Sequence, residues 1–540
     1  MNYSDKPWIK KYDGEVPEII KIPNISLVDL FNRSVRANKN SVCTIFKDQV
    51  YTYCEIEELS NRVAAYLISK GIQKGDRVGI SLPNTATFVI YYYGILKTGG
   101  VVMALNPAYR PNEVQSLAAE SGIKILILST EFYQEIKAVQ DQTAIESMIV
   151  VGREDEHLLS PDILSKDVLD EVLERPVSID VGPDDPAVFQ YSGGTTGEPK
   201  CAVGLHRNLV ANVYQFDQWL VNTNPGEETV LVAIPAYHVY GMVLGMHLAI
   251  KMGARMVLVS NPGDLDSLLK AIEKHHVTVF PGVPNLYDAI NRYPPVFEGR
   301  YDLSSIKACI SGSATLPVSV KQEFETLTHG HLVEGYGLSE APTATHCNPI
   351  LGENREGSIG LPLPNVDCRV VDIETGQHKV PVGEIGELII HGPQVMAGYH
   401  QKPEETALAI REGWLYTGDI VRMDSEGYFY LVDRKKDVIK VGGFQVWPNE
   451  VEAVILLHPK VREVAVAGVI NHRGAEVVKA WIVPQPDTNC TEDEIKTYCA
   501  EFLTKYKIPK FVSFRESLPR TRVGKILRRV LVAEDKQANQ

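Results

Sequence analysis

The stretch Tyr191-Ser-Gly-Gly-Thr-Thr-Gly-Glu-Pro-Lys200 packs three glycines, three aliphatic hydroxyls and a terminal lysine into ten residues. Glycine opens backbone conformations closed to other residues and lets amides come close to a ligand. Consecutive amides in such a turn form an anion-binding concavity, and the hydroxyls and lysine add donors. These residues read as a phosphate loop, with a mobile surface loop as the alternative that composition alone permits. The loop does not follow G-x-x-x-x-G-K-[ST], since Pro199 precedes the lysine and Cys201 follows it.

On both sides of this loop, strands alternate with helices. Helical spacing covers residues 26–40 and 54–71, and Arg77-Val-Gly-Ile-Ser-Leu82 is a short apolar strand before a helical run to Thr98. Val101–Leu105, a helix over 111–121 and Ile123–Leu128 continue the pattern. Beyond the loop the rhythm returns, with strands at 256–259, 277–280 and 306–310 and helices at 264–276, 284–293 and 317–328. Such alternation implies right-handed crossovers and mostly parallel sheets buried on both faces. From Gly357 the apolar runs shorten and Gly and Pro become frequent, which predicts a β-rich subdomain. The charged run Asp433-Arg-Lys-Lys-Asp437 reads as a solvated connection and a domain boundary. The last hundred or so residues predict a compact α+β domain, with helices at 450–458 and 491–505 and strands at 463–469 and 476–483. The expected fold class is therefore α/β: a large N-terminal domain over 1–432, with two α/β sheets and a β-rich subdomain, and a smaller α+β C-terminal domain over 437–540.

A chain of 540 residues exceeds what one hydrophobic core usually covers. With 44% apolar and 23% charged residues it has an ordinary globular composition. The formal charge of −14 argues against nucleic acid as a partner, and an anionic nucleotide would need local positive charge. The eight cysteines are scattered without C-x-x-C spacing, which favours reduced thiols in a cytoplasmic protein over zinc or redox chemistry. The N-terminus carries no apolar signal core, and the apolar region Leu231–Ser260 is broken by Pro235, His238, His247, Lys251 and Arg255. It reads as buried core and not as a membrane span.

Four further stretches carry candidate chemistry. Pro235-Ala-Tyr-His-Val-Tyr-Gly241 sets His238 among aromatics, either as a structural or as a catalytic histidine. Glu334-Gly-Tyr-Gly-Leu-Ser-Glu340 combines a ring to stack on a base, a hydroxyl for a phosphate and a carboxylate for Mg²⁺, or is an ordinary turn. Asp419, after the glycine of Trp414-Leu-Tyr-Thr-Gly-Asp419, suits ribose hydroxyls or a helix cap. Lys525 follows Gly524 near the chain end, where an exposed lysine is by itself uninformative.

In their order and wording these stretches, with Asp433-Arg-Lys-Lys-Asp437 and Gly524-Lys-Ile-Leu-Arg528, resemble the adenylate-forming superfamily from about residue 26 to residue 530. That superfamily contains acyl-CoA synthetases, luciferases and peptide-synthetase adenylation domains. Gly392-Pro-Gln-Val-Met-Ala-Gly-Tyr399 and Pro448-Asn-Glu-Val-Glu452 make the wording most similar to bacterial long-chain fatty acyl-CoA ligases. The stand-alone length argues against a peptide-synthetase module.

The resemblance implies ATP-dependent activation of a fatty acid as acyl-AMP, followed by transfer to CoA. An aryl acid ligase of the 4-coumarate type and a non-catalytic nucleotide-binding member of the fold are the competing expectations. By resemblance, Ser192, Gly193, Gly194, Thr195, Thr196, Gly197 and Lys200 hold the β- and γ-phosphates. Gly312, Ser313 and Ala314 pass the adenine ring, and Glu334, Gly335, Tyr336 and Gly337 complete the nucleotide pocket with Tyr336 stacked on the base. Ser339 reaches the α-phosphate, where the family more often has threonine; Asp419 and Arg434 hold the ribose, and Glu340 carries Mg²⁺. Lys525 bridges the acyl carboxylate and the α-phosphate, which requires the mobile C-terminal domain to close. The hinge spans residues 433–436 with Lys436 as pivot, and Lys440, Gly442 and Gly443 then line the CoA tunnel near a gate at His238. Tyr237, Val283, Tyr287, Gly335 and Gly337 wall the acyl pocket, the last two through either a channel or tight packing. The basic C-terminal residues Arg520, Arg522, Arg528 and Arg529 read as solvated charge, with CoA phosphates or peripheral contact with an inner membrane face as alternatives.

Overall fold

The computed structural model describes residues 6–14, 16–152, 158–170, 179–192, 200–441, 444–471, 475–521 and 524–538. Two large sheets form its body. In the first, the strands Val101–Ala104, Arg77–Ser81, Ile123–Ser129 and Ser147–Val151 run parallel, and Val101–Ala104 pairs with Pro186–Ser192. Pro186–Ser192 then pairs antiparallel with Lys200–Leu205, with Ser192 opposite Lys200. The glycine loop therefore joins two strands of a hairpin, whereas in a Walker-type loop it would lead from a strand into a helix. Gly398–Tyr399 adds the last strand, opposite Val203 and Ala202.

The second sheet is built mainly from the chain after the loop, with Thr229–Val232, Arg255–Leu258, Val279–Gly282, Ala308–Ser311 and His331–Leu338 in parallel. The two halves are not independent, however. The early strands Val42–Phe46 and Gln49–Thr52 join this second sheet through pairing of Thr44 with Met256. Between the sheets lies the helix Ala86–Lys97, buried on every side. A helix that is apolar all round requires such a sandwiched position. Its Tyr93 and Tyr92 hydroxyls bond the ring nitrogens of buried His247 at 2.8 and 3.1 Å. The interrupted apolar stretch 231–260 is thus core, carrying strand, helix and strand in turn. Among the described residues no helix is long and apolar enough to cross a membrane. All eight cysteines are free thiols.

After residue 357 an antiparallel sheet of Asp367–Val371, Ile385–His391, Trp414–Met423 and Phe429–Arg434 forms the β-rich subdomain. The C-terminal domain packs the helices Pro448–Leu456 and Glu492–Phe502 against the sheet Val461–Ile470, Glu476–Pro484 and Phe511–Phe514. Asp433 and Arg434 belong to the strand Phe429–Arg434, paired with Ile420 and Asp419, so the first free turn after the subdomain is Arg434–Asp437, closed by Asp437 N–H to Arg434 O at 3.0 Å. The charged run is solvated only in part: Lys436 is exposed, but its first residue is not. Asp433 is 1% exposed and accepts from the amides of Arg434 and Asn449, both at 2.8 Å.

Candidate active site

A cavity of about 930 Å³ lies between the two large sheets, the β-rich subdomain and the C-terminal domain. Its walls bring together side chains far apart in sequence: Lys200, His238, Glu340, Asp419, Arg434, Lys436 and Lys525. Gly312, Ser313, Gly335, Tyr336, Gly337, Ser339 and Tyr237 also face it. The positive charge that an acidic protein would need for a nucleotide is therefore present locally.

Tyr336 and Asp419 meet at the cavity floor, where the Tyr336 hydroxyl donates to Asp419 Oδ2 at 2.5 Å. Arg434 Nε lies 3.2 Å from Asp419 Oδ1, as expected for residues opposite each other in adjacent strands. Burial and the Asp419 carboxylate push the Tyr336 phenol well above its ordinary value, so it stays a neutral donor. Gly337 permits the backbone contact beside it: an added Cβ would stand 1.7 Å from the Thr343 carbonyl oxygen. This decides for tight packing at that position.

Glu340 faces the cavity close to the end of the glycine loop. Its Oε1 accepts from the Tyr399 hydroxyl at 2.9 Å, and the Tyr399 ring centroid lies 5.3 Å from Lys200 Nζ. Lys200 also pairs with Glu405. Among the described residues no cluster of three or more His, Cys, Asp or Glu could hold a metal alone. A single carboxylate fits a magnesium ion that takes its remaining ligands from phosphates and water.

From the C-terminal domain, Lys525 enters the cavity on a turn in which Thr521 N–H bonds Lys525 O at 2.8 Å. Gly524 makes the domain contact: it has φ +81°, and an added Cβ would stand 3.2 Å from Asn285 Nδ2. Burial, then Arg434 and Lys436, push the Lys525 ammonium down from 10.5 to about 8. Burial, then Lys525, push His238 down to about 4, so its imidazole is neutral near pH 7, with Nδ1 accepting from Tyr240 N–H at 3.2 Å. Lys436 is lowered by burial first and by Arg434 second.

Several expected residues stand elsewhere. Glu334 turns from the main cavity, accepts from Leu316 N–H at 3.2 Å, and burial raises its carboxyl to about 8. Tyr287 is fully buried, with its hydroxyl donating to the carbonyls of Phe280 and Ile310 at 2.8 and 3.1 Å; neither it nor Val283 lines the cavity. Of the expected acyl-pocket residues Tyr237, Gly335 and Gly337 do line it, in company with Tyr240, Leu244, Ile310 and Ala344. Ala314 is exposed beyond Ser313, and Lys440 is exposed on the ribbon Ile439–Val441/Phe444–Val446, outside the cavity. Gly193, Gly194, Thr195, Thr196, Gly197, Gly442, Gly443 and Arg522 lie outside the described residues, as does the side chain of Ser192.

Two of the basic C-terminal residues, Arg528 and Arg520, are paired. Arg528 Nη2 bonds both Glu452 oxygens at 2.9 and 2.8 Å and Asn449 Oδ1 at 2.7 Å, and Nη1 lies 3.5 Å from Asp437. Arg520 pairs with Glu463 at 2.6 Å, and both Arg520 and Arg529 reach the cavity rim. Tyr399 and Glu405 carried no role in the sequence reading. Their place beside Lys200 depends on a contact across two hundred residues, although Tyr399 closes a motif that the reading used.

Two family models match the chain, that of the AMP-binding enzymes over residues 31–400 and that of the AMP-binding enzyme C-terminal domain over 450–525. The chain is 38% identical to a long-chain-fatty-acid–CoA ligase of Bacillus subtilis, over 98% of both chains. It is 34% identical to 4-coumarate–CoA ligase 2 of Nicotiana tabacum, over 90% of each. Among solved structures, ATP-bound MatB from Rhodopseudomonas palustris matches 96% of this chain at 28% identity with a TM-score of 0.85, whereas the apo form of that enzyme gives 0.74.

Proposed function

This chain belongs to the AMP-binding enzyme family, and on that premise we propose how its residues divide the work of a fatty acid–CoA ligase. The protein is an acid–thiol ligase that activates a fatty acid by adenylation. The carboxylate attacks the α-phosphorus of ATP, pyrophosphate leaves, and the acyl-AMP is then cleaved by the thiol of CoA.

Two anions must meet in the first step, so catalysis rests on charge neutralisation and positioning. Lys200 takes the β- and γ-phosphates at one end of the cavity. Tyr336 stacks on adenine while Asp419 and Arg434, already paired, take the ribose. Gly312 and Ser313 flank the base, and Ser339 reaches the α-phosphate. Glu340 would hold a magnesium ion, which would supply charge neutralisation for the departing pyrophosphate. Lys525 holds its proton between the acyl carboxylate and the α-phosphate. The observation that carries this reading is the entry of Lys525 from the C-terminal domain into the cavity that holds Lys200, Glu340 and Asp419.

The second step needs CoA on the other side of the acyl carbon. Lys440 stands outside the cavity in this arrangement, and we assign the rearrangement that brings its ribbon in to the turn at Lys435–Asp437. The higher similarity to the ATP-bound than to the apo form of MatB supports reading the present arrangement as the adenylating one.

An alkyl chain fits the acid end better than a phenolic ring. The Tyr240 hydroxyl has its one proton shared between the carbonyls of Gly282 and Ile310, at 3.0 and 2.6 Å, and so has none to donate to a substrate. Apolar side chains lining the cavity include Val239, Leu244, Ile310 and Ala344. Measuring acyl-CoA formation over alkanoates and 4-coumarate tests this. Medium and long alkanoates should give the higher kcat/KM, and preference for the aromatic acid would overturn the assignment.

A further inference from the structure

The cation of the phosphate site is already paired with an anion supplied by the protein itself. Lys200 Nζ meets the carboxylate of Glu405, from the helix Pro403–Ala409. That helix has no buried residues, and its position comes from its link to the strand that carries Lys200. Thr406 Oγ1 accepts from Tyr399 N–H at 2.8 Å, Gly398–Tyr399 pairs with Ala202 and Val203, and His400 N–H bonds Cys201 O at 2.8 Å. The backbone around Glu405 is thus fixed to the site, while its side chain remains 42% exposed and has solvent to move into. Tyr399 joins the same group to the far side, with its ring near Lys200 and its hydroxyl on Glu340.

We propose that Glu405 is the resident counter-ion of the pyrophosphate subsite: it holds the Lys200 ammonium when no nucleotide is bound and yields it to the β- and γ-phosphates, thereby weakening the hold on ATP and on product pyrophosphate. The inference rests on the reading of Lys200 as a phosphate ligand. A carboxylate and a polyphosphate compete for one ammonium, and the polyphosphate prevails through greater charge and more acceptor oxygens. While it is bound, the displaced carboxylate stays nearby as a like charge, because its helix is tethered. Glu405 therefore favours release of pyrophosphate after adenylation.

The test is titration calorimetry of the full-length protein with magnesium pyrophosphate, ATP and AMP, comparing wild type with Glu405→Gln and Lys200→Ala. Glutamine keeps the size and removes the charge of an exposed residue, and an unchanged melting temperature checks folding. Glu405→Gln should bind pyrophosphate and ATP about three- to tenfold more tightly, the range expected for removing one partly screened charge beside a phosphate site. AMP affinity should be unchanged, as AMP lacks the β- and γ-phosphates that displace Glu405. Unchanged or weaker pyrophosphate binding in Glu405→Gln, with Lys200→Ala binding weakly, overturns the counter-ion role alone. Wild-type pyrophosphate affinity in Lys200→Ala overturns the phosphate-ligand reading and this inference with it.

Discussion

Arginine in place of Lys525 should remove a pH dependence that the fold builds into adenylation. The ammonium is pushed from 10.5 down to about 8, by burial first and by Arg434 and Lys436 next. A shift of that size corresponds to roughly 3 kcal/mol against the charged form. A lysine is protonated below its pKa, and the protonated form is the one that neutralises the meeting anions, so activity must fall as pH rises through 8. Between pH 7 and pH 9 the charged fraction drops about tenfold, and kcat/KM for acyl-AMP formation should drop with it, because this parameter reports the free enzyme. Bound triphosphate adds negative charge, so the midpoint in kcat should lie higher. Arginine keeps its charge throughout this range, and Lys525→Arg should give a flat profile at a reduced rate. Lys525→Ala should lose about 10²–10³ in adenylation, the scale of deleting one group that stabilises transition-state charge. The assay is ATP–pyrophosphate exchange from pH 6.5 to 10. Lys97 is also pushed down to about 8, but it lies in the core, bonded to Ser60 Oγ and Asn61 Oδ1, and the arginine variant separates the two. A wild-type rate that holds up to about pH 9.5, or a midpoint near 8 that survives in Lys525→Arg, would refute the reasoning.

Arg528→Met should leave Glu452 and buried Asp433 without their cation and destabilise the C-terminal domain by about 3 kcal/mol, read as a lower melting temperature. A change within experimental error would show that the pairing contributes nothing net. Lys436→Pro should fix the backbone of the Arg434–Asp437 turn, sparing acyl-AMP formation while slowing its conversion to acyl-CoA. Equal loss in both half-reactions would place the pivot elsewhere.

Most helices and strands were legible because their signal is local. Periodicity located the helices Leu27–Asn38, Ala86–Lys97 and Val318–Thr328 to within a few residues. Pairing was not legible. Nothing in Val42–Thr52 announces that its partner is Met256 rather than a neighbour of Arg77–Ser81. The charged segments misled for the same reason: Asp433-Arg-Lys-Lys-Asp437 and Arg528 look solvated until folding brings Asn449 and Glu452 beside them. At the site, Lys200, Glu340, Asp419 and Lys525 come from motifs far apart in sequence and line one cavity. Glu334 and Tyr287 lie next to the site in sequence, yet strand alternation and helix rotation turn both side chains into the core. Glu405 was invisible because its role exists only through the contact with Lys200.

The central claim is that groups from two domains act together on one ATP to make acyl-AMP before CoA takes part. The most direct measurement is a rapid-quench reaction of the full-length enzyme with ATP, magnesium and hexadecanoate, with CoA omitted. The account predicts a burst of hexadecanoyl-AMP and pyrophosphate in equal amounts, close to the enzyme concentration, that disappears in Lys525→Ala. Release of ADP and phosphate, or no pyrophosphate until CoA is added, would contradict it.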